Sequence, residues 1–177
     1  MNLKALIAIT MLDLHSSFRH ELKSINHVLD VGTPLSIFEA YTDSYKAFID
    51  YIKFGWGSAL IDPEFKQKKA LCDQLGIRTL LGGTFFEYMV YHHGFKAFVE
   101  KINEFSLDCV ELSRGTIELS DHQYAEYIRT LSTDFYVMSE VGRKSPDPAL
   151  DLSPAQWLAH SELSVEAGAS LVILESR

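Results

Sequence analysis

Lys53 stands near the end of a short apolar run, YIKFGWG at 51–57, and four other runs meet a charged residue in the same way: RTLLGGTFFE (78–87), CVELSRG (109–115), YVMSEVGRK (136–144) and LVILESR (171–177). An ammonium on a strand that otherwise buries its side chains needs a ligand, a carboxylate or water. Lys53 is therefore a candidate proton donor, a phosphate partner, or half of a structural ion pair with a glutamate from a neighbouring strand. Glu111 and Glu140 each follow an apolar run, so either could bind a cation, or hold Lys53 or Arg143 instead. Asp30, in INHVLDVG (25–32), and Glu175, in LVILESR, occupy the same place in their runs. Asp30, Lys53, Glu111, Glu140 and Glu175 are all expected at the carboxyl ends of adjacent parallel strands, facing one cavity.

Gly82, Gly83 and Thr84 have the character of a small anion-binding turn, with backbone N–H groups and a hydroxyl ahead of a helix, or else of a simple tight turn. Glu87 falls one turn later, where a carboxylate suits the helix dipole. His92 and His93 are adjacent and cannot face the same way on a helix, which argues against a shared metal. Trp56 is read as packing rather than substrate stacking.

The charged ends recur roughly every 25 to 35 residues, and helical stretches lie between them, which is a βα repeat. Strands are expected at 24–31, 51–56, 78–82, 108–112, 135–140 and 170–174, as continuous apolar runs covered on both faces. Ile37, Phe38, Tyr41, Tyr45, Phe48 and Ile49 recur at helical spacing after Pro34, so 35–49 is expected as a helix. Further helices are expected over about 63–75, with Asp62 before it and Gly76 after it, then a short one broken at Gly94, and another over 95–105. Ser120 and Asp121 offer caps for a helix through Leu131, and SPAQW opens the last, which reaches Gly168. Right-handed crossovers would lay the strands side by side in order. The polar, proline-rich stretch 144–154 is read as a βα loop on the functional rim.

With 177 residues, 47% hydrophobic and 23% charged, the composition is that of an ordinary globular unit. The net charge of −8 is spread among both signs without a Lys/Arg block, which argues against nucleic acid and anionic membrane as partners. Cys72 and Cys109 stand singly, without zinc-type spacing, which fits a reducing, cytoplasmic setting. The leading MNLKALIAITML is too short to span a bilayer and lacks a cleavage site, so it is expected to pack as a helix or strand in an extension covering residues 1–23.

The motifs KFGWG (53–57), GGTxFE (82–87), VELSxGTIE (110–118), SEVGxK (139–144) and EAGAxxVIxExR (166–177), in this order, resemble those of the phosphosulfolactate synthase family, and LDVG (29–32) resembles its first-strand motif. The resemblance covers residues 24–177. It implies an α/β fold of the TIM (β/α)8-barrel family, here about six βα units, and Mg2+-dependent addition of sulfite to phosphoenolpyruvate. By the same resemblance Lys53, Lys144 and Glu87 are catalytic candidates, with Lys53 as general acid or carboxylate partner. Gly82, Gly83, Thr84, Asp30 and Arg177 are candidates for substrate binding, Lys144 doubling as an anion partner, and Glu111, Glu140 and Glu175 for the metal.

Three departures stand out. Val31 replaces a lysine usual after the first-strand aspartate, Arg114 replaces an acidic or amide residue, and the last two βα units of the family are absent before Arg177. Strands one and six are then expected as open edges, through which like subunits could associate. A non-catalytic barrel of the heat-stress-associated kind, or a barrel enzyme acting on another phosphorylated three-carbon acid, remains the alternative.

Overall fold

The computed structural model describes residues 25–143 and 152–175. The extension at 1–23, Lys144, Arg177 and most of the loop at 144–154 lie outside the described residues. Strands β1 (His27–Asp30), β2 (Tyr51–Phe54), β3 (Arg78–Leu81), β4 (Cys109–Leu112), β5 (Tyr136–Gly142) and β6 (Leu171–Glu175) alternate with helices α1 (Leu35–Tyr45), α2 (Phe65–Leu75), α3 (Gly83–His93), α4 (Phe95–Glu104), α5 (Asp121–Leu131) and α6 (Pro154–Glu166). All strand pairs are parallel. They run in sequence order as two three-stranded sheets, β1-β2-β3 and β4-β5-β6, which meet where β3 touches β4. No helix among the described residues is long and apolar enough to cross a membrane.

Alternation along each strand sorts its side chains into two layers. Ile52, Phe54, Leu81, Val110, Leu112 and Val137 face outward into a core shared with the helices, against Phe38, Phe65, Phe86 and Ile128. Tyr51, Leu80, Cys109 and Met138 face inward and fill the barrel interior with Tyr136, Leu171 and Ile173. Lys53, Glu111, Glu140 and Glu175 each lie two residues beyond one of these inward positions, so the pleat carries them inward as well.

The helices start and stop for local reasons. Ser120 and Ser153 each cap a helix through a reciprocal capping box, with Gln123 and Gln156 respectively. The periodicity at 35–49 overstates α1. The α-helix ends at Tyr45 and a 3-10 turn, Lys46–Phe48, follows; Phe38 and Thr42 are buried, whereas Ile37 and Tyr45 stay exposed. Inside the wall, Tyr124 donates to the Leu112 carbonyl at 2.9 Å and meets the Ser139 hydroxyl at 3.0 Å, which in turn meets Ser164 at 2.8 Å. These hydroxyls satisfy one another and tie α5 and α6 to β4 and β5.

The expectation that Trp56 packs is overturned, because the residue is 72% exposed. It also holds a φ of 53°, in the left-handed region. That conformation costs a non-glycine residue about 1–3 kcal/mol.

Candidate functional site

At the carboxyl end of the barrel interior the described residues bring Lys53 and Glu111 together. Lys53 from β2 donates to both oxygens of Glu111 from β4, with Nζ 3.1 Å from Oε1 and 3.0 Å from Oε2. The side chain of Glu111 is 1% exposed and that of Lys53 is 23% exposed. Between the two strands the lysine stem passes the Gly82 backbone, where a Cβ would meet Lys53 Cδ at 3.4 Å.

The glycine pair explains itself through this carboxylate. The Gly83 N–H, at the first residue of α3, donates to Glu111 Oε1 at 2.6 Å. The anion at this turn is thus a side chain of the protein itself. A Cβ on Gly83 would come within 2.5 Å of Ser113 Oγ and 3.3 Å of Glu111 Oε1, so glycine is required for α3 to approach β4 this closely. Thr84 follows in the first turn of the same helix.

Glu87 is buried one turn into α3 and accepts from the β4–α5 loop. Ser113 Oγ and Thr116 Oγ1 donate to it, as do the Gly115 N–H at 3.1 Å and the Thr116 N–H at 2.7 Å. In this arrangement its carboxylate clamps the loop rather than presenting itself to a substrate. Glu87→Ala is expected to leave these donors without their acceptor. The expected cost is about 1–3 kcal/mol, with faster proteolytic nicking within 113–120, measured by urea unfolding and limited proteolysis.

Asp30 departs from the shared cavity. On β1 it has the parity of Val28, which packs against the outer core, so its side chain points to the helix layer. There it accepts from Lys68 Nζ at 3.2 Å and from the Thr33 N–H at 3.0 Å, while Lys68 also donates to Asp62 at 2.5 Å. Lys68 is 0% exposed. This cluster fastens the loops that follow β1 and β2. Neither Lys68 nor its role was singled out in the sequence, although the spacing of Phe65, Lys68 and Cys72 puts the lysine on the buried stripe of α2.

Glu140 is buried on β5, and Glu175 ends β6 at the residue paired with Gly142. Their strands are neighbours and their side chains share the inward face. A cavity of about 610 Å³ opens beside Glu140, lined also by Arg114, Asp121, Arg143 and His160. Burial and the Arg114 charge hold the His160 pKa below its ordinary value. Arg114 itself donates to Asp121 at 2.6 Å and lies over the Tyr124 ring, so this cation serves the start of α5. Deeper in the interior, His27 packs on Tyr51, and burial lowers its pKa.

Among the described residues no group of three His, Cys, Asp or Glu side chains is placed to enclose a metal ion. Mg2+ does not need one, since it keeps water and substrate oxygens and takes one or two carboxylates. Glu140 and Glu175 fit such a role by donor chemistry. Glu111 fits it poorly, with Lys53 and the Gly83 N–H already on its oxygens.

Residues 19–177 match the family described as (2R)-phospho-3-sulfolactate synthase (ComA). The chain is similar to the phosphosulfolactate synthase of Bacillus subtilis (strain 168), 33% identical over 150 residues that cover 85% of this chain and 60% of that protein. It is also similar to the phosphosulfolactate synthase of Methanocaldococcus jannaschii, 34% identical over 158 residues that cover 88% of this chain and 63% of that one. The chain therefore spans about 60% of the length of these curated relatives. Its fold resembles the carboxyl transferase domain of Rhizobium etli pyruvate carboxylase with 3-bromopyruvate, at a TM-score of 0.59 and 10% identity over 89% of this chain and 28% of that one. It also resembles 2,3-dimethylmalate lyase, a PEP mutase/isocitrate lyase superfamily member, at a TM-score of 0.51 and 16% identity over 90% of this chain and 60% of that one. At these identities the likeness to solved structures concerns the fold alone.

Proposed function

Because the chain belongs to the (2R)-phospho-3-sulfolactate synthase (ComA) family, we propose that its barrel mouth serves the Mg2+-dependent addition of sulfite to phosphoenolpyruvate, giving phosphosulfolactate. The observation that carries this reading is the Lys53 ammonium, anchored on Glu111 and partly exposed. An ammonium has three donors. Among the described residues it finds no acceptor other than Glu111, so a donor remains for a substrate carboxylate or for a reacting carbon.

In the reaction the sulfite sulfur forms a bond to the terminal methylene carbon of phosphoenolpyruvate. The π electrons of the enol move onto the carboxylate as an enediolate, and a proton then reaches the neighbouring carbon while the phosphate ester stays intact. Lys53 supplies charge to the developing enediolate and is the proton donor in this reading. Glu111 and the amino end of α3 hold that lysine in place. A divalent cation bound with Glu140 and Glu175 would add Lewis-acid stabilisation of the enediolate.

The test is to incubate the protein with phosphoenolpyruvate, sulfite and Mg2+ and to follow the phosphorus resonance of the product. Phosphosulfolactate formation supports the proposal, and its absence despite binding of phosphoenolpyruvate favours the non-catalytic alternative. Glu140→Gln is expected to weaken Mg2+ binding about tenfold or more in calorimetry, consistent with the loss of one hard oxygen ligand. An unchanged Mg2+ titration removes Glu140 from the metal site.

A further inference from the structure

Two unfavourable features sit within three residues of each other, immediately after β2, and neither is compensated locally. Gly55 and Ser58 close a tight turn through the Ser58 N–H to Gly55 carbonyl bond at 2.9 Å, with φ of 53° at Trp56 and 73° at Gly57. Two successive positive φ values define a type I′ turn, whose first central position suits Asn, Asp or Gly and opposes a bulky side chain. The indole does not recover the strain by packing, since it is exposed. In the same turn the Ser58 hydroxyl is buried and finds no hydrogen-bond partner among the described residues, a condition that calls for an explanation such as a ligand or an ordered water.

The turn is nonetheless held firmly. The Gly55 N–H donates to the Asp30 carbonyl at 2.8 Å, and the Ser58 carbonyl accepts from Ile61 and Asp62 at 3.0 and 2.8 Å. A Cβ on Gly55 would strike Leu29 Cδ1 at 2.5 Å, and Leu29 is the residue paired with Lys53 across β1 and β2. The strained turn thus lies on the rim beside Lys53. Strain that packing does not reward collects at sites of binding.

We propose that the Gly55–Ser58 turn is a substrate-contacting element. In this role Trp56 lays its planar, apolar face over a small unsaturated carboxylate held by Lys53 and shields the reacting carbon from water. The indole is suited to this, offering an apolar face and an N–H donor at one edge. The proposal rests on the catalytic reading of the mouth given above, and a single set of measurements separates the two.

The experiment measures thermal unfolding and calorimetric binding of phosphoenolpyruvate for the parent chain and for Trp56→Asn, with Trp56→Gly as a second relief of the same φ. A Trp157→Phe background makes Trp56 the reporter of fluorescence. The asparagine variant is expected to melt no lower than the parent and to bind phosphoenolpyruvate at least tenfold more weakly. In the reporter background the emission is expected to move to shorter wavelength when phosphoenolpyruvate is added. Either of two results overturns the role of Trp56 alone: both variants melting well below the parent, as truncation of a packed indole would cause, or a variant binding phosphoenolpyruvate as tightly as a parent that binds it. No binding by the parent overturns the catalytic reading of the mouth, and this role with it.

Discussion

Lys53→Met is expected to lower the turnover of phosphoenolpyruvate and sulfite by about 10²–10⁴-fold, the range typical of losing a positioned proton donor. The same change also strands the Glu111 carboxylate, which is buried and among the described residues would keep only the Gly83 N–H. Removing one partner of a buried pair costs about 3–5 kcal/mol, and the partial exposure of Lys53 puts this case at the low end. Catalytic and structural roles therefore need a second variant to separate them. Lys53→Met combined with Glu111→Gln replaces the stranded charge by a neutral amide. It is expected to recover most of the stability in urea unfolding while leaving turnover at the level of the single variant. If initial rates return together with stability, Lys53 is a structural ion pair and the proton must come from elsewhere.

Lys68→Met is expected to be the most destabilising single change in the helix layer, by about 3–5 kcal/mol, because Asp30 and Asp62 would remain as uncompensated charges around a site that is closed to solvent. That is a large share of the roughly 5–15 kcal/mol that holds a domain together, and it corresponds to a fall in Tm of roughly 6–20 °C. Adding Asp30→Asn and Asp62→Asn to Lys68→Met is expected to recover part of the loss, since a neutral set need not desolvate charge. A midpoint within 2 °C of the parent for Lys68→Met, about the shift of less than 1 kcal/mol, would show that the cluster contributes nothing net. Burial by itself pulls the Lys68 pKa down, but the hydrogen bonds and charges of Asp62 and Asp30 outweigh it and raise the pKa above its ordinary 10.5. The sign follows: the lysine contributes its full stability below the unfolded-state value and loses it as pH rises through the folded-state value. Stability due to this cluster should therefore persist through neutral and mildly alkaline pH and fall only in strong alkali.

These two lysines mark where reading residues in order stops. Lys53 follows an apolar run and invites notice, whereas Lys68 sits in FKQKKALC among lysines that look like a solvated helix face. Only the i, i+3, i+7 relation with Phe65 and Cys72 distinguishes Lys68 from Lys66 and Lys69. Glu87 shows the same limit from the other side. Its place one turn into a helix is legible, but its partners Ser113 and Thr116 come from a loop more than twenty-five residues away. No local pattern announces such a contact.

The βα order, the positions of the six described strands and most helix ends are legible in the order of residues alone. Largely apolar segments of four to seven residues have few other conformations open to them, and Ser120, Ser153 and Gly76 end or begin helices through bonds made within a few residues. The same local rules place a charge at or near the end of five of the six described strands, β3 being the exception. Which of those charges meet was decided by tertiary structure. Successive side chains point to opposite faces, and strands covered on both sides are apolar on both, so the flanking residues do not reveal which face is the interior. Asp30 and Lys53 look alike in the sequence, yet Asp30 turns outward to Lys68 and Lys53 inward to Glu111. The closing of strands β2 to β4 around a common interior, with helices packed outside, is what gives each alternation its sense and brings Lys53 and Glu111, fifty-eight residues apart, into contact.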